Sequence, residues 1–171
     1  TKRNTATLKS LKDKGVNITD DNSAAVKKSE VIILAVKPFQ VADVLNGIKK
    51  ELAADKILIS VVTGVLISEM EGIVKKNIAY FRAMPNTAIA IQESMTCICS
   101  KDADNATVKY VNDLFSTVGK VVTIDEKLME AATILAACGT AYAMRYIRAN
   151  IQGGIEIGFD AATASLIAAQ T

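Results

Sequence analysis

Lys37, the pair Thr63-Gly64 and the tetrapeptide Met84-Pro85-Asn86-Thr87 each follow directly on a short, unbroken apolar run: Val31 to Val36, Ile57 to Val62 and Ile78 to Ala83. Buried parallel strands read as runs of this kind, and open α/β sheets bind ligands in the crevice beyond the carboxyl ends of their strands. Chemistry is therefore expected at these three polar turns. An ammonium at Lys37 suits a phosphate or carboxylate at a sheet edge, although a lysine leaving a core for solvent has the same pattern. Asn86 and Thr87 offer neutral donors and acceptors suited to an amide or a ribose, and turn formation alone explains them equally well.

Several other chemistries are excluded by composition. The chain has no histidine, so a Ser-His-Asp set cannot form and a zinc site would lack its usual nitrogen ligand. No pair of carboxylates stands out for acid-base work. The net charge of +2 is too small to call for nucleic acid or a membrane surface, and the longest apolar stretches fall short of a membrane span. Cys97, Cys99 and Cys138 are too few and too unevenly spaced for a disulfide framework, which fits a reducing cytoplasm. Cys97 and Cys99, two apart, would share one face of a strand and are read as core.

The elements that must position the turns follow from periodicity. Residues 5–14 read as a helix ending at Gly15, Val16 to Ile18 as a short strand, and Asn22 as the cap of the next helix. The run from Val31 leads to a helix from Pro38 with Val41, Val44, Leu45, Ile48 and Leu52 on one face. Ile57 to Val62 leads to a helix that Ser68 and Glu71 would open as a capping box. Strand and helix alternating at this spacing predict parallel crossovers. Residues 88–99, with Ile89, Ile91, Cys97 and Cys99 alternating, read as one or two further strands. Asp104 to Ser116 reads as an amphipathic helix, ended by Gly119 ahead of a strand over 120–123.

From Asp125 onward the alternation stops and alanine-rich helical sequence takes over. The run from Glu126 to about Ile151 carries apolar residues around much of its circumference and is expected to be buried on most sides. Gly153-Gly154 and Gly158 are read as its cap and loop, and Asp160 as the cap of a last helix. The resulting expectation is an α/β fold: a Rossmann-like, mainly parallel sheet over residues 1–123, incomplete at its start, followed over 124–171 by the start of an all-α dimerisation domain. Lys2 and Arg3 stand where a second Rossmann strand would end, and a basic pair there suits a ribose 2′-phosphate, favouring NADP over NAD. A solvated basic pair at a chain end is an equally good reading. The glycine fingerprint of dinucleotide binding is not present in these residues.

Ala35-Val36-Lys37-Pro38, S-V-V-T-G at 60–64, R-A-M-P-N-T at 82–87, and Glu126 followed by Thr133 and G-T-A-Y at 139–142 occur in that order. As an ordered set they resemble the pyrroline-5-carboxylate reductase family, and the likeness extends across essentially the whole chain. The resemblance implies reduction of the cyclic imine of 1-pyrroline-5-carboxylate to L-proline with NAD(P)H, the last step of proline biosynthesis, in a cytoplasmic homodimer or higher homo-oligomer. It also implies that the glycine-rich turn lies before Thr1, and that further helices, with a threonine that donates to the imine nitrogen, lie beyond Thr171. No catalytic residue is then assigned within the 171 residues, and the polypeptide alone is expected to be inactive.

Carried over by position, the resemblance puts Lys2 and Arg3 near the adenosine ribose phosphate and Asn22 near the adenosine. Ala35, Val36, Lys37 and Pro38 would line the middle of the cofactor, with Val62, Thr63 and Gly64 alongside. Met84, Pro85, Asn86 and Thr87 would approach the nicotinamide, and Glu126, Thr133 and Gly139 would approach the substrate. No metal is implied. The sequence departs from the family pattern at Ala136, Cys138 and Thr140, where S-G-S-G-P is usual, and at Thr63, where alanine is common. Two other readings compete: a further dehydrogenase of the same superfamily, of 3-hydroxyacid or 6-phosphogluconate type, and a non-catalytic dimerising fragment. The former enzymes use a lysine of the helical domain, and Lys127 is the sole lysine after Lys120.

Overall fold

Three of the apolar runs form neighbouring strands that all point the same way. In the computed structural model, which describes residues 1, 2 and 4–171, β1 (Val31–Leu34) pairs parallel with β2 (Ile57–Ser60), and β2 pairs parallel with β3 (Ala79–Met84). The ribose-phosphate role expected of Arg3 lies outside the described residues. Two more strands, β4 (Ser94–Lys101) and β5 (Gly119–Thr123), complete a sheet in the order β1-β2-β3-β4-β5. β4 runs antiparallel to β3, with Met84 opposite Cys97 and Arg82 opposite Cys99, while β5 runs parallel to β4. The sheet is thus mainly parallel, with one reversal that the strand and helix alternation did not predict. The link from Met84 to Ser94, residues 85–93, is shorter than the dozen or so residues that a parallel crossover needs, so the chain turns back after β3.

Helices cover the two faces unequally. On one face α3 (Val41–Ile48) and α4 (Ile67–Val74) pack Leu45, Ile67 and Met70 onto Leu58, Tyr80 and Met84. Cys97 and Cys99 join this core, as their spacing predicts. On the other face α5 (Asn105–Ser116) lays Val111 and Phe115 against Ile59, Phe81 and Ile98. Burial of such side chains contributes roughly 1.5–3 kcal/mol each. Asp104 caps α5 by accepting from Thr107 N at 2.7 Å. Two short helices, α1 (Lys9–Lys12) and α2 (Asn22–Lys27), precede the sheet.

Several local expectations are corrected. Val16 to Ile18 is not a strand: Val16 is exposed and its N–H donates back to Leu11 O, while Lys2 N donates to Thr19 O beyond the segment. The cap of α2 is Asp21, whose carboxylate accepts from Ala24 N; Asn22 is the first residue inside the helix. At α4 the capping carboxylate is Glu69, bound to Leu66 N at 2.8 Å, because the helix begins at Ile67, one residue before Ser68. Glu71 instead pairs with Lys101 across 2.7 Å. Residues Thr87–Ile91 form a 3₁₀ turn and not a strand, since Asn86 caps them through Ala88 N.

After the sheet the chain is helical but not as one buried rod. α6 (Met129–Ala132) passes through a π-helical turn, Thr133–Ala137, into α7 (Gly139–Glu156), and α8 (Ala161–Gln170) follows. Asp160 caps α8 as expected, accepting from Ala162 N and Thr163 N. Gly153 and Gly154 lie inside α7, not at its end. A Cβ on Gly154 would stand 3.1 Å from the Ala164 Cβ, so this glycine lets α7 and α8 approach closely. Contrary to expectation, much of the apolar surface is exposed, with Leu135 at 82%, Tyr146 at 72% and Leu166 at 70%. Two helices lying side by side cover each other along one stripe only.

Candidate functional site

Because β1, β2 and β3 are mutually parallel, their exits lie on one edge of the sheet. That edge brings together Ala35 to Pro38, Val62 to Gly64 and Met84 to Thr87. Lys37 is exposed and opens a 3₁₀ turn that starts at Pro38; its backbone N–H donates to Gln40 Oε1 at 3.2 Å. Proline at the first turn forfeits no bond, because that N–H would be unpaired in any case. Val62 is buried while Thr63 and Gly64 are exposed. Gly64 takes φ +77°, and a Cβ built there would meet no atom within 4 Å, so backbone faces open space at this turn.

Asn86 is the most heavily bonded of the expected site residues. Its N–H donates to Ser94 Oγ at 3.2 Å, its Oδ1 accepts from Ala88 N at 3.2 Å, and its Nδ2 donates to the Ala136 carbonyl at 3.4 Å. Ser94 Oγ lies 3.1 Å from Thr96 Oγ1, and both hydroxyls are buried. The turn after β3 is thus fixed from behind by β4 and tied across to the π-helical turn. π-Turns of this kind recur at functional sites. Here the turn is closed by Cys138 N donating to Thr133 O at 2.9 Å.

A cavity of about 810 Å³ opens beside Asn86, between the last two strands and the helices. Met95, Cys97, Ile124, Leu135 and Thr140 are among its lining residues, which are almost all apolar. Of the three residues expected near a substrate, Gly139 lines this cavity. Thr133 turns its hydroxyl back onto Met129 O at 2.9 Å. Glu126 accepts through one oxygen, Oε1, from Arg82 Nη1 at 3.0 Å and from Ile67 N at 2.8 Å. At the chain's start, the Thr1 hydroxyl donates to Asn22 Oδ1, and Lys2 N donates to Thr19 O.

Sequence reasoning missed Arg82 as a site residue. The signal was present: a charge within the run Ala79-Tyr80-Phe81-Arg82-Ala83-Met84, inside a buried strand, requires a partner. Its neighbour across the strands, Cys99, has its thiol pushed up to about 11, first by burial and then by the Glu126 charge, with Arg82 acting in the opposite direction. Among the described residues no group of three or more histidine, cysteine, aspartate or glutamate side chains could hold a metal ion, and no helix is long and apolar enough to cross a membrane.

Comparison with known proteins gives this arrangement its context. Residues 1–64 match the family described as NADP oxidoreductase coenzyme F420-dependent, and residues 126–171 match the pyrroline-5-carboxylate reductase dimerisation family. Pyrroline-5-carboxylate reductases 1 and 2 of Dictyostelium discoideum are 39% and 40% identical to the chain over its whole length, which spans 33% and 62% of theirs. The chain therefore covers less than two thirds of these relatives. Among solved structures, the Plasmodium falciparum pyrroline carboxylate reductase with NADP bound superposes with a TM-score of 0.85 at 33% identity, over 91% of this chain and 59% of that one. The Coxiella burnetii pyrroline-5-carboxylate reductase gives 0.93 at 28% identity, over 98% and 64%. Residues 126–171 thus match the pyrroline-5-carboxylate reductase dimerisation family, and along nearly its whole length the chain is similar in sequence and in fold to pyrroline-5-carboxylate reductases.

Proposed function

We propose that the protein of which these residues form part reduces 1-pyrroline-5-carboxylate to L-proline with NADPH, NADH being a possible substitute. The observation that carries this reading is the gathering of three separate motifs, Ala35 to Pro38, Val62 to Gly64 and Met84 to Thr87, on one edge of a parallel sheet. An extended dinucleotide needs such a line of turns. The residues suit that ligand: Lys37 offers an exposed ammonium for a phosphate, Gly64 an open backbone, and Asn86 a held amide. Lys2 and Asn22 would take the adenosine end.

When bound, the reduced nicotinamide supplies the hydride, and the protein supplies orientation and electrostatics. Lys37 would neutralise phosphate charge, and the turn at Asn86, braced by Ser94 and Thr96, would hold the reacting end against the apolar cavity. The cavity walls would exclude water from the imine. Effective molarities gained by such positioning are worth roughly 7–11 kcal/mol in favourable cases. Gly139 and Thr133 would shape the substrate side, Gly139 by lining the cavity.

The same reading assigns residues 1–123 to a nucleotide-binding domain and 124–171 to a dimerisation segment. The exposed apolar side chains of the helical segment, Leu135 in the π-helical turn, Tyr146 in α7 and Leu166 in α8 among them, support a homodimer as the working form. A cytoplasmic location fits three unpaired cysteines. The experiment that separates this function from its superfamily alternatives is a substrate panel. Full-length protein with NADPH should reduce pyrroline-5-carboxylate, and with NADP should leave 3-hydroxyacids and 6-phosphogluconate unoxidised. The opposite pattern would replace this reading with the alternative.

A further inference from the structure

We infer that Arg82 and Glu126 are a positioning pair that holds two of the three cofactor-facing turns in register, and that Glu126 acts through this pairing and not by touching substrate. The inference rests on the reading of the sheet edge as a dinucleotide site. Its basis is the placement of one carboxylate oxygen. Glu126 Oε1 accepts from Arg82 Nη1 at 3.0 Å, 44 positions away in sequence, and from Ile67 N at 2.8 Å, 59 positions away.

Each of those donors belongs to a different turn. Arg82 lies in β3 two residues before Met84, and the turn through Asn86 follows at once. Ile67 opens α4 three residues after Gly64, so a bond to its N–H fixes the far end of the Thr63-Gly64 turn. Glu126 itself stands just past β5, where the helical segment begins. One oxygen therefore ties the exits of β2 and β3 to each other and to the helices.

The electrostatics make the tie strong. The Arg82 side chain is 5% exposed and the Glu126 side chain 33% exposed, so the guanidinium is held almost entirely out of water. A buried cation without its counter-ion is far more costly than the exposed half of the pair left alone. The carboxylate also sits at the N-terminus of α4, where negative charge is favoured. Both bonds engage Glu126 Oε1 within the chain, and Glu126 is not among the residues that line the apolar cavity.

The test uses full-length protein and two readouts: the Kd for NADPH from fluorescence titration, and the separate KM values for NADPH and pyrroline-5-carboxylate. Glu126→Ala and Arg82→Met should each weaken NADPH binding by about tenfold, and the double variant should be no worse than the weaker single, as expected of residues acting as one unit. Glu126→Gln, which keeps an acceptor for Ile67 N–H, should recover part of the loss, while the KM for the imine stays within about twofold. A rise in the imine KM alone, additive losses in the double variant, or lowered melting temperature with unchanged Kd would each overturn the pairing. If Glu126→Ala does not fold, Glu126→Gln and Arg82→Lys give the same comparison. Wild-type protein that binds NADPH but reduces no imine would sink the proposed reaction while leaving this comparison decisive; wild-type protein with no NADPH affinity would overturn both.

Discussion

The amide of Asn86 donates to the carbonyl of Ala136 across 3.4 Å, joining the turn after β3 to the π-helical turn fifty residues later. The same side chain caps the following 3₁₀ turn through Ala88 N at 3.2 Å. Replacing Asn86 by alanine removes both bonds and should lower stability by about 1–2 kcal/mol in urea unfolding. Serine keeps the cap but cannot reach Ala136, and because 3.4 Å is long for such a bond, Asn86→Ser should recover most of the loss. A serine variant as unstable as the alanine one would show that the Ala136 contact dominates.

Gly119, at the start of β5, has φ +145°, and a Cβ there would lie 2.0 Å from the Ser94 carbonyl oxygen. Gly119→Ala should therefore cost at least about 3 kcal/mol, since backbone cannot yield as a flexible side chain can. Gly72, within α4, has nothing within 4 Å of such an atom. Gly72→Ala should gain roughly 0.5–1 kcal/mol from helix propensity. Thermal melts of the two variants should move in opposite directions.

The strands and cleft turns were legible because a strand buried on both sides is apolar throughout and its exit is abruptly polar, as at Leu34 to Lys37 and Ser60 to Gly64. Helix faces were legible for a related reason: Val41, Leu45 and Ile48 repeat with the turn of α3. What could not be read was relational. Nothing local to Ser94–Lys101 states that it runs antiparallel to β3, and nothing near Glu126 names Arg82 as its partner. The apolar circumference of α7 predicted burial, yet the single chain leaves Tyr142 and Tyr146 exposed. Hydrophobic pattern reports what will be covered, and it does not say by which chain.

The carboxyl groups of Asp104 and Asp160 are both held below the ordinary carboxylate value. The causes are hydrogen bonds: from the Thr107 backbone first for Asp104, and from the Thr163 hydroxyl first for Asp160. A group whose pKa is lower folded than unfolded contributes stability above its unfolded value, near about 4, and that contribution disappears as the pH falls through the folded value. Asp104→Ala and Asp160→Ala should thus melt below wild type at neutral pH, and the gap should narrow steadily on acidification below about pH 4. A gap independent of pH would mean that the caps act without their charge.

Cys97 and Cys99 have thiols raised by burial, Cys99 to about 11, whereas Cys138 is only half-buried. Thiolate is the reactive form, so a colorimetric disulfide reagent at neutral pH should leave Cys97 and Cys99 unmodified in the folded protein and react with both on unfolding in urea. Rapid native labelling of either residue would contradict the burial of this face of β4.

The most direct measurement is a stoichiometric one on full-length protein. Pyrroline-5-carboxylate and NADPH are mixed with the enzyme, and nucleotide oxidation and L-proline formation are followed in the same sample. The account predicts one L-proline for each NADPH consumed, with the reaction slowed when Lys37 is replaced by alanine. NADPH consumption without proline, or no consumption at all by folded protein across a broad pH range, would contradict it.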